Sequence, residues 1–275
     1  MLVLVAGATG AVGTELVREL MARHHRVRGL SRHASNIADE AVQADATATD
    51  LTGVCRGVDV VISALGASVS PNASEKRSYD AVDYVGNSRL LTEAKQAGVK
   101  RFIYISVHVE DGYRNTGYIA AHERFVDELR SSGIAYTVIR PTGIFSAFAE
   151  ILDFARKGPV PVLGDGQAKS NPVHEADVAL AAINALESGP AAISIGGPDV
   201  LTRRQIAEEV FRALGKKPRI LSMPVGVFGL LTKLMSIGSP RKKQLFEFVK
   251  AVAVTDCLAP SLGRERLADY LRRKA

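Results

Sequence analysis

Cysteine is scarce: Cys55 and Cys257 are the only two in 275 residues. Two thiols give neither a disulfide framework nor a cysteine metal cluster, and they suit a reducing, cytoplasmic setting. His24 and His25 are adjacent and lack a third ligand, so no metal site is expected. Long apolar runs are also missing. No stretch reaches the ~18 apolar residues of a membrane span. Residues 224–238 come nearest, but Lys233 interrupts them, and the segment reads as a buried or ligand-covering helix. The N-terminal apolar run is too short for a signal peptide and ends in glycines. Aromatic residues make up only 6%, and no finger, basic zipper or aromatic–basic interleaving occurs. Nucleic acid is therefore not the expected partner, although the net charge is 35 − 29 = +6. That excess equally suits an anionic cofactor and a solvated surface. No internal repeat or low-complexity tract divides the chain. Asn72-Ala73-Ser74 matches a glycosylation acceptor, with nothing that points to secretion.

What is present starts at the N-terminus. Residues 3–6 form a short apolar run that stops at Gly7, and Gly7, Gly10 and Gly13 follow at a spacing of three. An amphipathic segment, Thr14 to Met21, comes next. Strand, tight turn and helix in this order make a phosphate-binding device. The helix N-terminus offers unpaired N–H groups and positive dipole potential. Glycine lets the main chain approach a pyrophosphate.

The same alternation continues. Residues 26–30, 41–44, 58–62, 101–105 and 135–139 read as strands, and residues 79–96 and 116–131 as helices between them. Residues 49–55 suggest a further small helix. In the 79–96 helix, Val82, Val85, Leu90, Leu91 and Ala94 supply the apolar face. Strands alternating with helices imply an α/β fold with a doubly wound parallel sheet, a Rossmann arrangement. Right-handed crossovers then bring the strand C-terminal ends to one edge. Gly7, Ser31, Asp45, Gly66, Ser106 and Pro141 all fall near such ends. Beyond residue 143 the chain is less regular. Thr202 and Gln205 form a capping box for a helix to Leu214.

These residues resemble the short-chain dehydrogenase/reductase superfamily in its atypical branch, which includes NmrA-like regulators and epimerase–dehydratase-like enzymes. The resemblance is carried by residues 7–13, Leu30-Ser31-Arg32, Ala44-Asp45, Ala64-Leu65-Gly66, residues 98–106, residues 136–141 and residues 171–179. It implies one NAD(P)-binding Rossmann domain over residues 1–275, with a small C-terminal α/β substrate region interleaved from about residue 143. It implies a dinucleotide held by Gly7, Thr9, Gly10, Ala11, Val12, Gly13, Ser31, Arg32, Asp45, Ala64, Leu65 and Gly66, with Pro141 and Ile144 near the nicotinamide. An acidic residue at the end of the second strand would bind the ribose of NAD. Ser31 and Arg32 stand there instead, and a guanidinium grips a 2′-phosphate in bidentate fashion. NADP is therefore expected ahead of NAD.

The superfamily's enzymes use Ser, Tyr and Lys, the last two as Tyr-x-x-x-Lys, one helical turn apart. The counterparts are Ser106, Tyr118 and, in place of Lys, His122. A mostly neutral imidazole lowers a phenol pKa far less than a fixed cation does. Three readings stay open: a modified Ser106–Tyr118–His122 site, another proton source, or NADP(H) binding without turnover, as in NmrA-like sensors that signal to a protein partner. An oxidoreductase acting on a small carbonyl, enone or sugar-like substrate is the leading expectation. His174 and Asp177 are expected to be structural, as a helix-docking turn and a local cap.

Overall fold

The computed structural model describes residues 1–70 and 76–275; Asn72-Ala73-Ser74 lies outside them. Strand β1 (Leu2–Ala6) is apolar on both sides because both sides are covered. Val3 and Val5 face α1 (Ala11–Ala22), while Leu4 and Ala6 belong to the core on the opposite side of the sheet. Such near-continuous apolar strands belong to the centre of a parallel sheet with helices on both faces.

The remaining strands follow the same logic. They are β2 (Arg26–Ser31), β3 (Glu40–Gln43), β4 (Val60–Ser63), β5 (Arg101–Ile105), β6 (Ala135–Pro141) and, after two short strands of a separate region, β9 (Ala192–Ile195). Their order across the sheet is β3-β2-β1-β4-β5-β6-β9, and every pairing is parallel. The strand order reverses beside β1, at the switch between β1 and β4, where open α/β sheets bind ligands. Helices α2 (Asn87–Gln96) and α3 (Gly117–Ser131) contribute Leu90, Ala94, Phe125 and Leu129 to one core. Helices α1 and α5 (Glu175–Ile183) contribute Leu16, Leu20, Val178 and Ala182 to the other.

A third core lies beyond β6. It joins α4 (Phe145–Lys157), β7 (Val160–Leu163), α6 (Arg203–Ala213) and α9 (Leu267–Lys274). Short strands β8 (Lys169–Ser170) and β10 (Leu201–Thr202) pair with each other, and β11 (Ile220–Met223) pairs with β7. The Thr202–Gln205 capping box is present at the start of α6. Helices α7 (Val225–Met235) and α8 (Pro240–Val254) form a hairpin, and α8 packs on α3.

Four local expectations change. Residues 49–55 form turns rather than a helix, with Gly53 and Gly57 at φ +83° and +73°. The chain before α2 is π-helical over Asp80–Gly86. A π-helix has a wider turn than an α-helix, so the apolar spacing slips: Val85 is 37% exposed while Asp83 and Asn87 turn inward and are fully buried. Helix α7 is not buried, Thr232 being its one buried residue. Asp177 does not serve a local cap. Its Oδ2 accepts from the Arg264 and Glu265 N–H groups, at 3.0 and 3.3 Å, and so ties the C-terminal segment to α5.

The tightest packing is at the first turn. Gly7 has φ +77°, and a Cβ there would lie 2.7 Å from the Ala64 carbonyl oxygen. A Cβ on Gly13 would stand 2.0 Å from the Gly7 carbonyl oxygen. Gly13→Ala should therefore cost about 2–4 kcal/mol, at or above the usual range for overpacking. Gly53→Ala, with a positive φ but nothing within 4 Å, should cost only the left-handed backbone term of about 1–2 kcal/mol. Urea unfolding of the two variants measures the difference; equal losses would remove the steric argument.

Candidate functional site

The carboxyl ends of β1, β2, β4, β5 and β6 lie side by side along one sheet edge, and backbone hydrogen bonds extend their ladders into the loops. Gly7 N–H donates to the Leu30 carbonyl at 2.9 Å, and Ala64 N–H to Ala6 at 2.9 Å. Ser106 N–H donates to Ile139 at 2.8 Å, and His108 N–H to Pro141 at 2.8 Å. Residues 7–13, Ser31-Arg32, residues 64–66, Ser106 and Pro141 are thus brought to one edge. Ile144 bridges to Val173, and Thr142 Oγ1 donates to the Asn171 carbonyl at 2.6 Å, so this corner is braced by the 171–173 segment.

The α1 terminus suits a pyrophosphate. Gly10 is the N-cap, no side chain caps the helix, and no acidic residue stands in its first turn. Thr9, Gly10 and Ala11 are exposed, while Val12 and Gly13 are buried against the strand. Unclaimed N–H groups and the helix dipole thus face outward where no side chain intervenes. Arg32 is exposed directly after β2. Ser31 is buried, and its hydroxyl donates to the His33 carbonyl at 2.7 Å, which shapes the turn that carries Arg32.

Asp45 is committed to its own neighbours. Its Oδ1 accepts from Thr47 N–H and Thr47 Oγ1 at 2.9 and 2.8 Å, and Arg77 reaches its Oδ2 at 2.5 Å. Burial alone would raise its pKa, but the Thr47 bonds and the Arg77 cation outweigh it and hold the carboxyl below the usual carboxylate range. Arg77 is in turn held through its carbonyl, which accepts from Arg241 of α8 at 2.7 Å; Arg241 also donates to the Ser68 carbonyl at 2.8 Å.

Beneath residues 64–67 runs a buried polar network that the residue pattern did not suggest. Asp83 Oδ1 accepts from Ala67 N–H at 3.0 Å. Asn87 Nδ2 donates to the Leu65 carbonyl at 3.2 Å and to the Asp83 carbonyl at 2.9 Å, and Ser63 Oγ donates to Asn87 Oδ1 at 2.5 Å. The signal available in sequence was the Asp-x-x-x-Asn spacing inside an otherwise apolar stretch. It could not be placed without knowing that the helix there is a π-helix.

The network continues into α3. His122 Nε2 lies 3.4 Å from Asp83 Oδ1, and His122 Nδ1 lies 2.6 Å from the Tyr104 hydroxyl. Burial, with Asp83 and Tyr118 adding to it, raises the Tyr104 pKa well above the usual range, so that phenol donates to Nδ1. The proton of the neutral ring then sits on Nε2, on the side of Asp83, where it makes no hydrogen bond among the described residues. Near-complete burial, with the Arg140 guanidinium adding to it, lowers the His122 pKa to about 3. Arg140 itself is paired with Glu123 at 2.7 Å.

One turn earlier, the Tyr118 ring packs edge-on against Tyr79, His122 and Phe248, with centroids 5.0, 4.7 and 4.6 Å away. Burial, reinforced by Asp83 and Tyr79, raises its pKa well above 10. Ser106 Oγ, at the β5 end, is buried without a hydrogen-bond partner among the described residues. His174 caps α5, its Nδ1 accepting from Ala176 N–H at 3.0 Å between the rings of Phe145 and Tyr270.

Comparison with known proteins fits this geometry. Residues 7–189 match a family described as NAD(P)H-binding. The chain is 27% identical over 269 residues to the chloroplastic divinyl chlorophyllide a 8-vinyl-reductase of Arabidopsis thaliana, covering 86% of this chain and 64% of that protein. It is 27% identical over 256 residues to the (4-alkanoyl-5-oxo-2,5-dihydrofuran-3-yl)methyl phosphate reductase of Streptomyces griseus, covering 89% and 84%. The chain spans 60–64% of the length of the four vinyl-reductases it matches. Among solved structures, a nucleoside-diphosphate-sugar epimerase from Staphylococcus aureus shares the fold at a TM-score of 0.77, with 17% identity over 99% of this chain and 100% of the other.

The buried imidazole has a measurable consequence. In the unfolded chain His122 protonates near its ordinary pKa of 6.5, whereas in the folded chain it does so only at about 3. Between these values the unfolded state binds more protons, so this residue makes stability fall as pH drops, by about 1.4 kcal/mol per pH unit. Above pH 6.5 it contributes no pH dependence. His122→Gln should flatten the stability profile between pH 6 and pH 4 by that slope, measured by urea unfolding at each pH. An unchanged slope would mean that the ring is not held neutral.

Proposed function

From the premise that the chain belongs to the NAD(P)H-binding family, with the fold of the atypical short-chain dehydrogenase/reductases, we propose that it is an NADPH-dependent reductase of a small carbonyl or conjugated C=C substrate. The observation that carries this reading is the state of Tyr118. Its phenol is buried, and the residue one turn later is a neutral, buried imidazole instead of a cation. Nothing in that position stabilises a phenolate. Alcohol oxidation and epimerisation that use Tyr118 as a base need the phenolate. Reduction balances without it: the neutral phenol hydrogen-bonds the oxyanion as the hydride arrives, and solvent water supplies the proton that completes the product, so that Tyr118 keeps its own.

A bound nicotinamide supplies a hydride. What this chain contributes is position and hydrogen bonds. The turn at residues 7–13 holds the pyrophosphate, and residues 64–66 border the adenosine side. Arg32 takes the 2′-phosphate, which favours NADP over NAD. Tyr118 donates toward the substrate carbonyl oxygen, and Ser106, whose buried hydroxyl has no partner among the described residues, is the second donor. His122 packs against the Tyr118 ring and is bonded to the Tyr104 hydroxyl; it positions Tyr118 and transfers no proton. The region beyond residue 143 forms the substrate side. Two relatives whose names make them reductases, one of a vinyl group, support this direction of chemistry.

A second reading, a non-catalytic NADP(H) sensor, is favoured by one feature, the enclosure of the Tyr118 ring by Tyr79 and Phe248. Turnover separates the two. NADPH consumption with a panel of enones and aldehydes should be detectable, and oxidation of the matching alcohols should not. Tyr118→Phe should lower kcat by roughly 10²- to 10⁴-fold and leave NADPH affinity nearly unchanged. No consumption, together with an NADPH-dependent change in partner binding, would establish the sensor instead.

The cofactor assignment is tested separately. Arg32→Ala should weaken NADP binding by roughly 1–3 kcal/mol, the scale of a charge-assisted hydrogen bond, and hardly affect NAD, as read by titration calorimetry. Equal losses for both dinucleotides would remove the 2′-phosphate role.

A further inference from the structure

Helix α7 carries an apolar stripe on its outside. Val227, Leu230, Leu231, Leu234 and Met235 fall at i, i+3, i+4, i+7 and i+8, which is one helix face, and all are exposed, Leu230 at 63% and Leu234 at 60%. Ile237, just past the helix, is 78% exposed. The inner face is already used: Thr232 is buried, and Phe228 meets Phe246 of α8 edge-on at 6.3 Å. The stripe is therefore not waiting for another part of the described fold. Contiguous exposed apolar surface of this kind marks a contact with something outside the molecule.

The surrounding charge says what that contact is. Between Glu209 and Glu247 the sequence contains no Asp or Glu, and it contains eight cations: Arg212, Lys216, Lys217, Arg219, Lys233, Arg241, Lys242 and Lys243. Lys233 on α7 and Lys242 and Lys243 in the first turn of α8 are exposed, Lys243 with the Glu247 carboxylate 3.9 Å away. Arg241 is committed elsewhere, since its bonds to Ser68 and Arg77 fasten α8 to the body. We propose that α7 and the first turn of α8 seat the protein on an anionic bilayer surface, with the stripe in the headgroup–acyl boundary and the lysines on lipid phosphates. A second copy of the chain fits less well, because pairing two such faces would bring like cations together, and Glu247, the one carboxylate of α8, is already paired with Lys243 at 3.9 Å. The 11-residue helix is about 16 Å long, half the thickness of a hydrocarbon core. Among the described residues no helix is long and apolar enough to cross a membrane. The helix lies in the interface, as an amphipathic anchor does.

Flotation of the full chain with lipid vesicles tests this. Vesicles of phosphatidylcholine containing a quarter phosphatidylglycerol should carry the protein, and pure phosphatidylcholine should carry little. Salt at about 1 M, where the Debye length is ~3 Å, should release much of it. The double variant Leu230→Asp, Leu234→Asp should lower partitioning at least tenfold. So should Lys242→Gln with Lys243→Gln, since each basic residue near an anionic leaflet raises binding roughly fivefold. The lysine pair is fully surface-placed and guards against a folding defect in the leucine pair; NADPH binding should be unchanged in both. Absence of binding to anionic vesicles overturns the proposal. So does a dimer in light scattering that Leu230→Asp splits while vesicle binding is absent, which would assign the stripe to a second copy.

Discussion

The contact between Gly13 and the Gly7 carbonyl fixes the geometry on which the rest of the edge depends. With no side chain at position 13, α1 settles directly on the turn that ends β1, and its N-terminus points along the sheet edge. Gly7 in turn lies against Ala64, so the ends of β1 and β4 are in register at the place where the strand order reverses. An anion site needs main-chain N–H groups that no side chain screens. Two glycine contacts supply that, and the apolar strands around them need only be buried on both faces.

A second layer joins this edge to α3. Asp83 and Asn87 come inward because of the π-helical stretch, and they hold the backbone of Leu65 and Ala67. From Asp83 the network passes to His122 and Tyr104. The imidazole one turn after Tyr118 is thus enclosed beside a buried polar network. Most of these groups find a partner, but His122 Nε2 makes no hydrogen bond among the described residues, and the buried imidazole stays neutral.

Much of this was legible in the residues. The β1 run, its glycines and the β-branched residues 58–62 announce a parallel sheet, since few other environments cover a strand on both faces. The convergence of strand ends followed from connection handedness alone. What stayed hidden depended on register or on distance. Val85 was read as inward because an α-helical period was assumed, and one wider turn moved Asp83 into its place. Residues 49–55 had helix-like spacing but are governed by glycines at positive φ. Asp177 looked like a local cap, yet its partners are 87 and 88 positions away. The exposure of α7 could not be read from hydropathy, because an apolar helix in a core and one on a surface have the same composition.

The two bonds from Arg241 bear on how the chain acquires its structure. They span 164 and 173 positions, reaching back from the last quarter of the sequence to Arg77 and Ser68. Contacts of such separation form late, because the loop they close has to be ordered first. During synthesis, the sheet and the glycine turn can assemble while the segment that carries Arg77 to Asp45 still lacks its brace. The dinucleotide edge is therefore completed only when the C-terminal hairpin has docked, and a chain shortened before α8 would keep the sheet while leaving that edge unfinished.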